Sequence, residues 1–157
     1  VKSDGLWNPD YVKILRDNVA IGARRAGRDP GEIEIIAGPL CSIAADRESA
    51  RAAARRVLAV YLPYLHPMTE VAGIPQEEIR QVRAAAAVGD FERGAARVSD
   101  LAIRSCSVAG RPEDVIPQIE AMAAAGVTHV AFGHPLGPDF DEALDLLGRE
   151  VLPHFRR

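Results

Sequence analysis

Apolar positions change period along the chain. In "NPDYVKILRDNVAIGARRAGRDP", Tyr11, Ile14, Leu15 and Val19 return at helical spacing, Asn8 or Asp10 stands where a cap is needed, and Gly27 and Pro30 mark the stop. The run "EIEIIAGPLCSIAAD" puts Ile33, Ile35 and Ile36 in a β-rich stretch that continues through Leu40 and Ile43 across Gly38 and Pro39. From Asp46 the helical period resumes with Ala50, Ala53, Ala54, Val57, Leu58 and Tyr61, and alanine at this density calls for close packing against a neighbour. Residues 63–100 give one or two helices around Gly89 and Asp90 without a clear strand, the pattern of a helical insertion.

The stretch "AGRPEDVIPQIEAMAAAGVTHVAF" is the most legible. Pro112 suits a first helical turn, Glu113 and Asp114 suit the positive end of the helix dipole, and Gly126 suits a left-handed stop. Val115, Ile116, Ile119 and Met122 make the inward stripe, and Val127–Phe132 is too short and too β-branched to be another helix, so it reads as a strand. A last helix is expected over Phe140–Arg149, capped by Asp139 with Glu142 three residues on, as in a capping box. With "SDGLW" as the opening strand, strands alternate with helices, which predicts an α/β fold with a parallel sheet of about three strands and an uncovered edge.

A chain of 157 residues with 48% hydrophobic positions is long enough for one core, and 1–157 is expected to form a single α/β domain. Its 19 basic and 22 acidic residues are interspersed, which argues against a nucleic-acid partner. Cys41 and Cys106 lack Cys-x-x-Cys spacing and have no histidine cluster to complete a zinc set; they read as reduced core residues, and no metal is expected. No apolar run approaches the ~20 residues needed to span a bilayer, and the chain does not open like a signal peptide, so no membrane partner and a cytoplasmic location are expected. The chain opens on Val1 rather than Met, in a strand that looks entered midway, which reads as a cut.

"GHPLGPD", residues 133–139, sits between a predicted strand and a predicted helix. In α/β proteins the loops that leave the carboxyl ends of parallel strands form the functional face, and this one also leads to a helix N-terminus, whose free amides favour an anion. A rigid turn with Asp139 as cap is the plainer account of the same residues.

These residues carry a resemblance. "SVAGRPEDVIPQIEAMAAAGVTHVAFGHPLGPDFDEALDLLGREVLPHF" resembles the C-terminal end of the luciferase-like monooxygenase superfamily, in particular its methylenetetrahydromethanopterin reductase branch, where a G-x-P-x-G-P-D loop precedes the last helix and a closing E-V-L-P. "SDGLWNPDYV" is similar to the family's A-D-G strand, its helix ends in a matching Ala26, Gly27 and Arg28, and "SIAAD" is similar to the end of the next strand. The resemblance implies a TIM barrel of which this chain is roughly the second half, from the sixth strand onward, with no counterpart here to the first strands.

It further implies coenzyme F420, or alternatively FMN, bound at the carboxyl end of the barrel, and hydride transfer to a methylenetetrahydromethanopterin-like or other small organic substrate. On this reading Gly133, His134, Pro135, Gly137 and Asp139, with Cys41 and Ser42 at the neighbouring strand end, contribute to the cofactor or substrate site. No residue is singled out as catalytic. The alternative is a non-catalytic half-barrel that binds a ligand or self-associates, because an exposed parallel edge and apolar helix faces call for a partner; a dimer is expected.

Other residues read more plainly. His129 falls inside a strand, where packing or a structural hydrogen bond is expected, and His66 and His154 each adjoin a proline without a partner at ligand spacing. Ser42 and Ser105 lack a nucleophile-elbow pattern, so hydrolase chemistry is not supported. Trp7 reads as a core residue, and the pairs Arg24–Arg25 and Arg55–Arg56 read as solvated helix faces.

Overall fold

The computed structural model describes residues 1–156. The elements run in the order β1 (Lys2–Asp4), α1 (Pro9–Arg25), β2 (Ile36–Gly38), β3 (Leu40–Ile43), α2 (Arg47–Tyr61), α3 (Met68–Val71), α4 (Gln76–Ala87), α5 (Phe91–Ala95), α6 (Asp100–Cys106), β4 (Ser107–Gly110), α7 (Pro112–Ala125), β5 (His129–Val130), α8 (Phe140–Leu146) and α9 (Leu152–Phe155), with a π-helical turn at Leu147–Val151. All strand pairs are parallel, as the alternation predicts.

One strand organises the rest. Residues 36–43 are interrupted only at Pro39, and their backbone groups point alternately to either side. Toward one side, the Ile36 amide donates to the Val1 carbonyl at 2.8 Å and the Gly38 carbonyl accepts from Gly5 at 2.6 Å; further along, the Ala44 amide donates to Gly110 at 3.3 Å. Toward the other, Ala37, Pro39 and Ile43 are joined in turn to Ala131, Gly133 and Leu136. This spine therefore carries β1 and then β4 along one edge, and β5 with the loop that follows it along the other.

The helices follow their sequence signals. Of the two candidate caps, Asn8 closes α1: its side chain accepts from the amides of Asp10 and Tyr11, both at 3.0 Å. Asp46 caps α2, Pro112 occupies the first turn of α7, and Gly126 ends α7 at φ +110°. The alanine density of α2 has a direct counterpart: Ala50, Ala53, Ala54 and Ala59 are buried, and a Cβ placed on Gly94 of α5 would lie 3.2 Å from that of Ala59. Val115, Ile119 and Met122 of α7 are buried, with Ile116 packed at the edge of the same core.

Several details differ from the sequence reading: residues 63–100 hold three α-helices, α3, α4 and α5, where one or two are read, and the last helix passes into a π-helical turn after Leu146 instead of running to Arg149. Strand β4, "SVAG", was not expected; helix α6 ends at Cys106 and the strand starts at the next residue, with no turn residue to announce it. The opening strand stops at Asp4, so Leu6 and Trp7 enter the core from a loop. The strand expected over Val127–Phe132 keeps only His129–Val130. Asp139 accepts from the Glu142 amide at 2.9 Å, but the Glu142 carboxylate reaches the Ala45 amide at 3.3 Å instead of returning to the cap, so the capping box is half formed.

Candidate functional site at the carboxyl ends of the strands

The register gives the β1–β2–β5 sheet two unlike faces. Lys2, Ile36 and His129 share one face, followed by Asp4 and Gly38, with Ala131 beyond them. Lys2, Asp4, His129 and Ala131 are exposed there, Ile36 is half-buried, and Lys2 pairs with Asp4 at 2.7 Å. On the opposite face Ala37 is buried under the helices between half-buried Ser3 and Val130, and further along the spine Cys41 and Ile43 of β3 are buried on the same side. The strands end beside this open face, at Asp4, at Ala44 and at the loop 133–139.

That loop is attached to the spine rather than projecting from it. The Gly133 amide donates to Pro39 at 3.0 Å, the Ile43 amide donates to Leu136 at 2.8 Å, and the Cys41 thiol donates to the same Leu136 carbonyl at 3.9 Å. Both glycines are dictated by this closeness: a Cβ on Gly133 would lie 2.5 Å from the Pro39 carbonyl oxygen, and one on Gly137 would collide with the Ile43 carbonyl. Leu136 takes φ +75°, a conformation that non-glycine residues hold only when their surroundings impose it, and the His134–Pro135 bond is cis.

The expected site residues therefore fall into two groups. Gly133, His134, Pro135, Gly137 and Asp139 belong to the loop itself: His134 and Asp139 are exposed, Gly133 and Pro135 half-buried, Gly137 is buried against the spine, and Asp139 is occupied as the cap of α8. Cys41 and Ser42 lie beneath it, 1% and 0% exposed. Burial pushes the Cys41 thiol up to about 12, so it is protonated and no nucleophile at neutral pH; Cys106 is likewise buried and pushed up to about 12 by burial first and the Glu78 charge second. The Ser42 hydroxyl is buried without a hydrogen-bond partner among the described residues. Sequence reasoning did not single out Asp4 or Gly38, which lie side by side at the open strand end; the A-D-G-like "SDG" holding Asp4 was the available signal.

The remaining histidines have local partners. His129 Nδ1 lies 3.0 Å from Thr128 Oγ1, His66 contacts Glu70, and His154 lies 3.0 Å from Glu120. Arg55 and Arg56 are tied to Asp100 and Glu92. Among the described residues no group of three or more His, Cys, Asp or Glu could hold a metal, and no helix is long and apolar enough to cross a membrane.

The family model for the luciferase-like monooxygenases matches residues 3–129, from β1 through the whole helical stretch to β5. The chain belongs to the luciferase-like monooxygenase family. Within that family it is 35% identical over 150 residues to 5,10-methylenetetrahydromethanopterin reductase of Methanopyrus kandleri, across 95% of this chain and 43% of that protein. It is 32% identical over 154 residues to the enzyme of the same name from Archaeoglobus fulgidus, across 95% of this chain and 46% of that one.

The solved structure of coenzyme F420 dependent tetrahydromethanopterin reductase from Methanopyrus kandleri aligns with a TM-score of 0.92 and 35% identity, over 99% of this chain and 45% of that one. This luciferase-like chain thus spans a little under half the length of the relatives it matches, and its fold is a portion of their TIM barrel. The open face is what such a portion leaves bare, since in a closed barrel the inward side chains of each strand pack against those of the others.

Proposed function

We propose that this chain serves a coenzyme F420-dependent oxidoreductase, as the portion of the barrel that presents the ends of β1, β2–β3 and β5 to the cofactor, with a methylenetetrahydromethanopterin-like molecule as hydride acceptor. The observation that carries this reading is the match over 99% of the chain to an F420-dependent reductase at 35% identity. FMN is the alternative cofactor.

The residues present suit a flat ring system. Gly38 has no side chain on the open face, and a Cβ there would lie 2.5 Å from the Asp4 carboxylate oxygen; with Ala131, Ile36 and Leu40 it leaves a low, largely apolar floor. Asp4 at one side and the loop 133–139, with its exposed His134, at the other supply polar edges. Bound there, a deazaflavin would supply the hydride chemistry itself. This chain's residues would seat the ring, limit water and fix the approach of substrate, with the loop held rigid by its bonds to the spine. Pairing through the open face, as a dimer or with further barrel strands, would complete the enclosure.

The test is made on the native protein purified from its own cells: its mass, and titration with F420 and with FMN. Saturable F420 binding stronger than FMN binding, with oxidation of reduced F420 on addition of methylenetetrahydromethanopterin, is the expected result. Gly38→Val should abolish the binding while leaving the fold intact by circular dichroism. Failure of the native protein to bind either cofactor would leave the non-catalytic half-barrel.

A further inference from the structure

A sizeable cavity lies away from the open face. It measures about 540 Å³ and lies among the helices, walled by the start of α1, the first turns of α2, the end of α6 and the first three turns of α7. That volume falls in the range of small-molecule sites, ~300–1,000 Å³. Its floor is apolar, with Trp7, Ile103, Pro117 and Met122; Trp7 is fixed by donation of its Nε1–H to the Gln118 side chain at 3.3 Å, and Gln118 in turn donates to the Asp114 carbonyl at 2.7 Å.

The polar rim is unbalanced toward cation. The Asp114 carboxylate is taken up by a two-pronged contact with Arg47 at 2.7 and 2.6 Å and by the Arg111 amide, and Glu113 is paired with Arg111. Asp100 must serve two guanidiniums, accepting from Arg51 at 2.9 Å and Arg55 at 2.6 Å through one oxygen. Arg51 retains a buried Nε–H with no acceptor, and Arg104, exposed on the rim, makes no ion pair among the described residues. The carboxylates of the wall are thus committed while guanidinium donors remain free above an aromatic and aliphatic floor.

We propose that this cavity binds a small organic anion with an aromatic body, its carboxylate or phosphate held by Arg104 with Arg51, and its ring set against Trp7 and Met122. Guanidinium recognises either anion through paired N–H donors, and the floor contributes by apolar burial. The site is independent of the proposed hydride transfer.

The experiment is calorimetric titration of the purified chain with benzoate, phenyl phosphate and the neutral analogue benzyl alcohol, repeated in Arg104→Gln and Ala121→Trp. Arg104 and Ala121 are exposed helix positions, and the tryptophan would fill the cavity from its α7 wall. Saturable binding of at least one anion is expected, with benzyl alcohol much weaker; the better of the two identifies carboxylate or phosphate. A charge-assisted hydrogen bond makes Arg104→Gln about 10-fold weaker or more, and Ala121→Trp should abolish binding. Binding of neither anion, equal binding of benzyl alcohol, or affinity unchanged in both variants would overturn the assignment. An F420 titration of the native protein carrying the same substitutions separates the two sites, since neither residue belongs to the strand-end face.

Discussion

The two faces of the spine formed by β2 and β3, with β1 and β5 beside it, are built from alternate residues, yet they differ in almost every physical respect. On the helix side, Ala37, Cys41 and Ile43 share one core with Leu58 and Val115, all at 1% exposure or less. On the other, Ile36 and Leu40 are only half-covered and Lys2, Asp4 and His129 are in contact with solvent. A single layer of helices thus holds the strands, and the open side is left to carry charged and small residues that a sealed core would reject. The fold and the proposed cofactor surface are served by opposite parities of the same sequence.

The sharpest way to break that comparison is a pair of truncations measured by urea denaturation. Leu58→Ala should cost about 2–5 kcal/mol, because it opens a cavity under the sheet, whereas Ile36→Ala on the open face should cost less than about 1 kcal/mol. Equal costs would mean that the open face is sealed in solution. Gly137→Ala is expected to cost about 1–3 kcal/mol, since the new methyl meets the Ile43 carbonyl, and to loosen the loop 133–139 in amide exchange; an unperturbed loop would show that its attachment to the spine is weaker than the backbone bonds indicate.

The smallest effect is electrostatic. The hydrogen bond from Arg47 holds the Asp114 carboxyl below its ordinary range, outweighing the opposing effect of burial with further help from the Arg111 amide. A lowered folded-state value means that the contribution to stability is present in full above the unfolded carboxylate value of about 3.9 and is lost as pH falls through the lowered one. Asp114→Asn should therefore flatten the acid limb of the stability profile below about pH 4 and leave its neutral part nearly level apart from a constant offset. An acid limb as steep as that of the parent would remove this pair from the account.

What could be read from the sequence was what is local. Asn8, Asp46, Pro112 and Gly126 act on residues within a turn of themselves, and the strand and helix periods of the long elements report a single buried face. Strand β4 escaped because "SVAG" follows α6 without punctuation and earns its extended form only by pairing with Leu40–Ile43, more than sixty positions earlier. The loop 133–139 was picked out by its composition, but the reason for its glycines is a contact with Pro39 and Ile43 that no local pattern contains. The same holds for the arginine-rimmed cavity: Arg47 and Asp114, or Arg51 and Asp100, are unremarkable helix charges until the fold brings them together.

The spine gives up β1 as its left-hand neighbour after Gly38 and takes β4 from Leu40 onward. Since the chain leaves β3 to begin α2 and comes back to β3 as β4, everything between departs from and returns to one short segment. Such an excursion is topologically closed. Its middle turns, between α3 and α5, are free to grow or shrink over generations at about 0.6 kcal/mol for each doubling of a flexible loop, without any strand having to change partner. A change of length in this excursion would leave the register of Leu40–Ile43 against Ser107–Gly110 as it is.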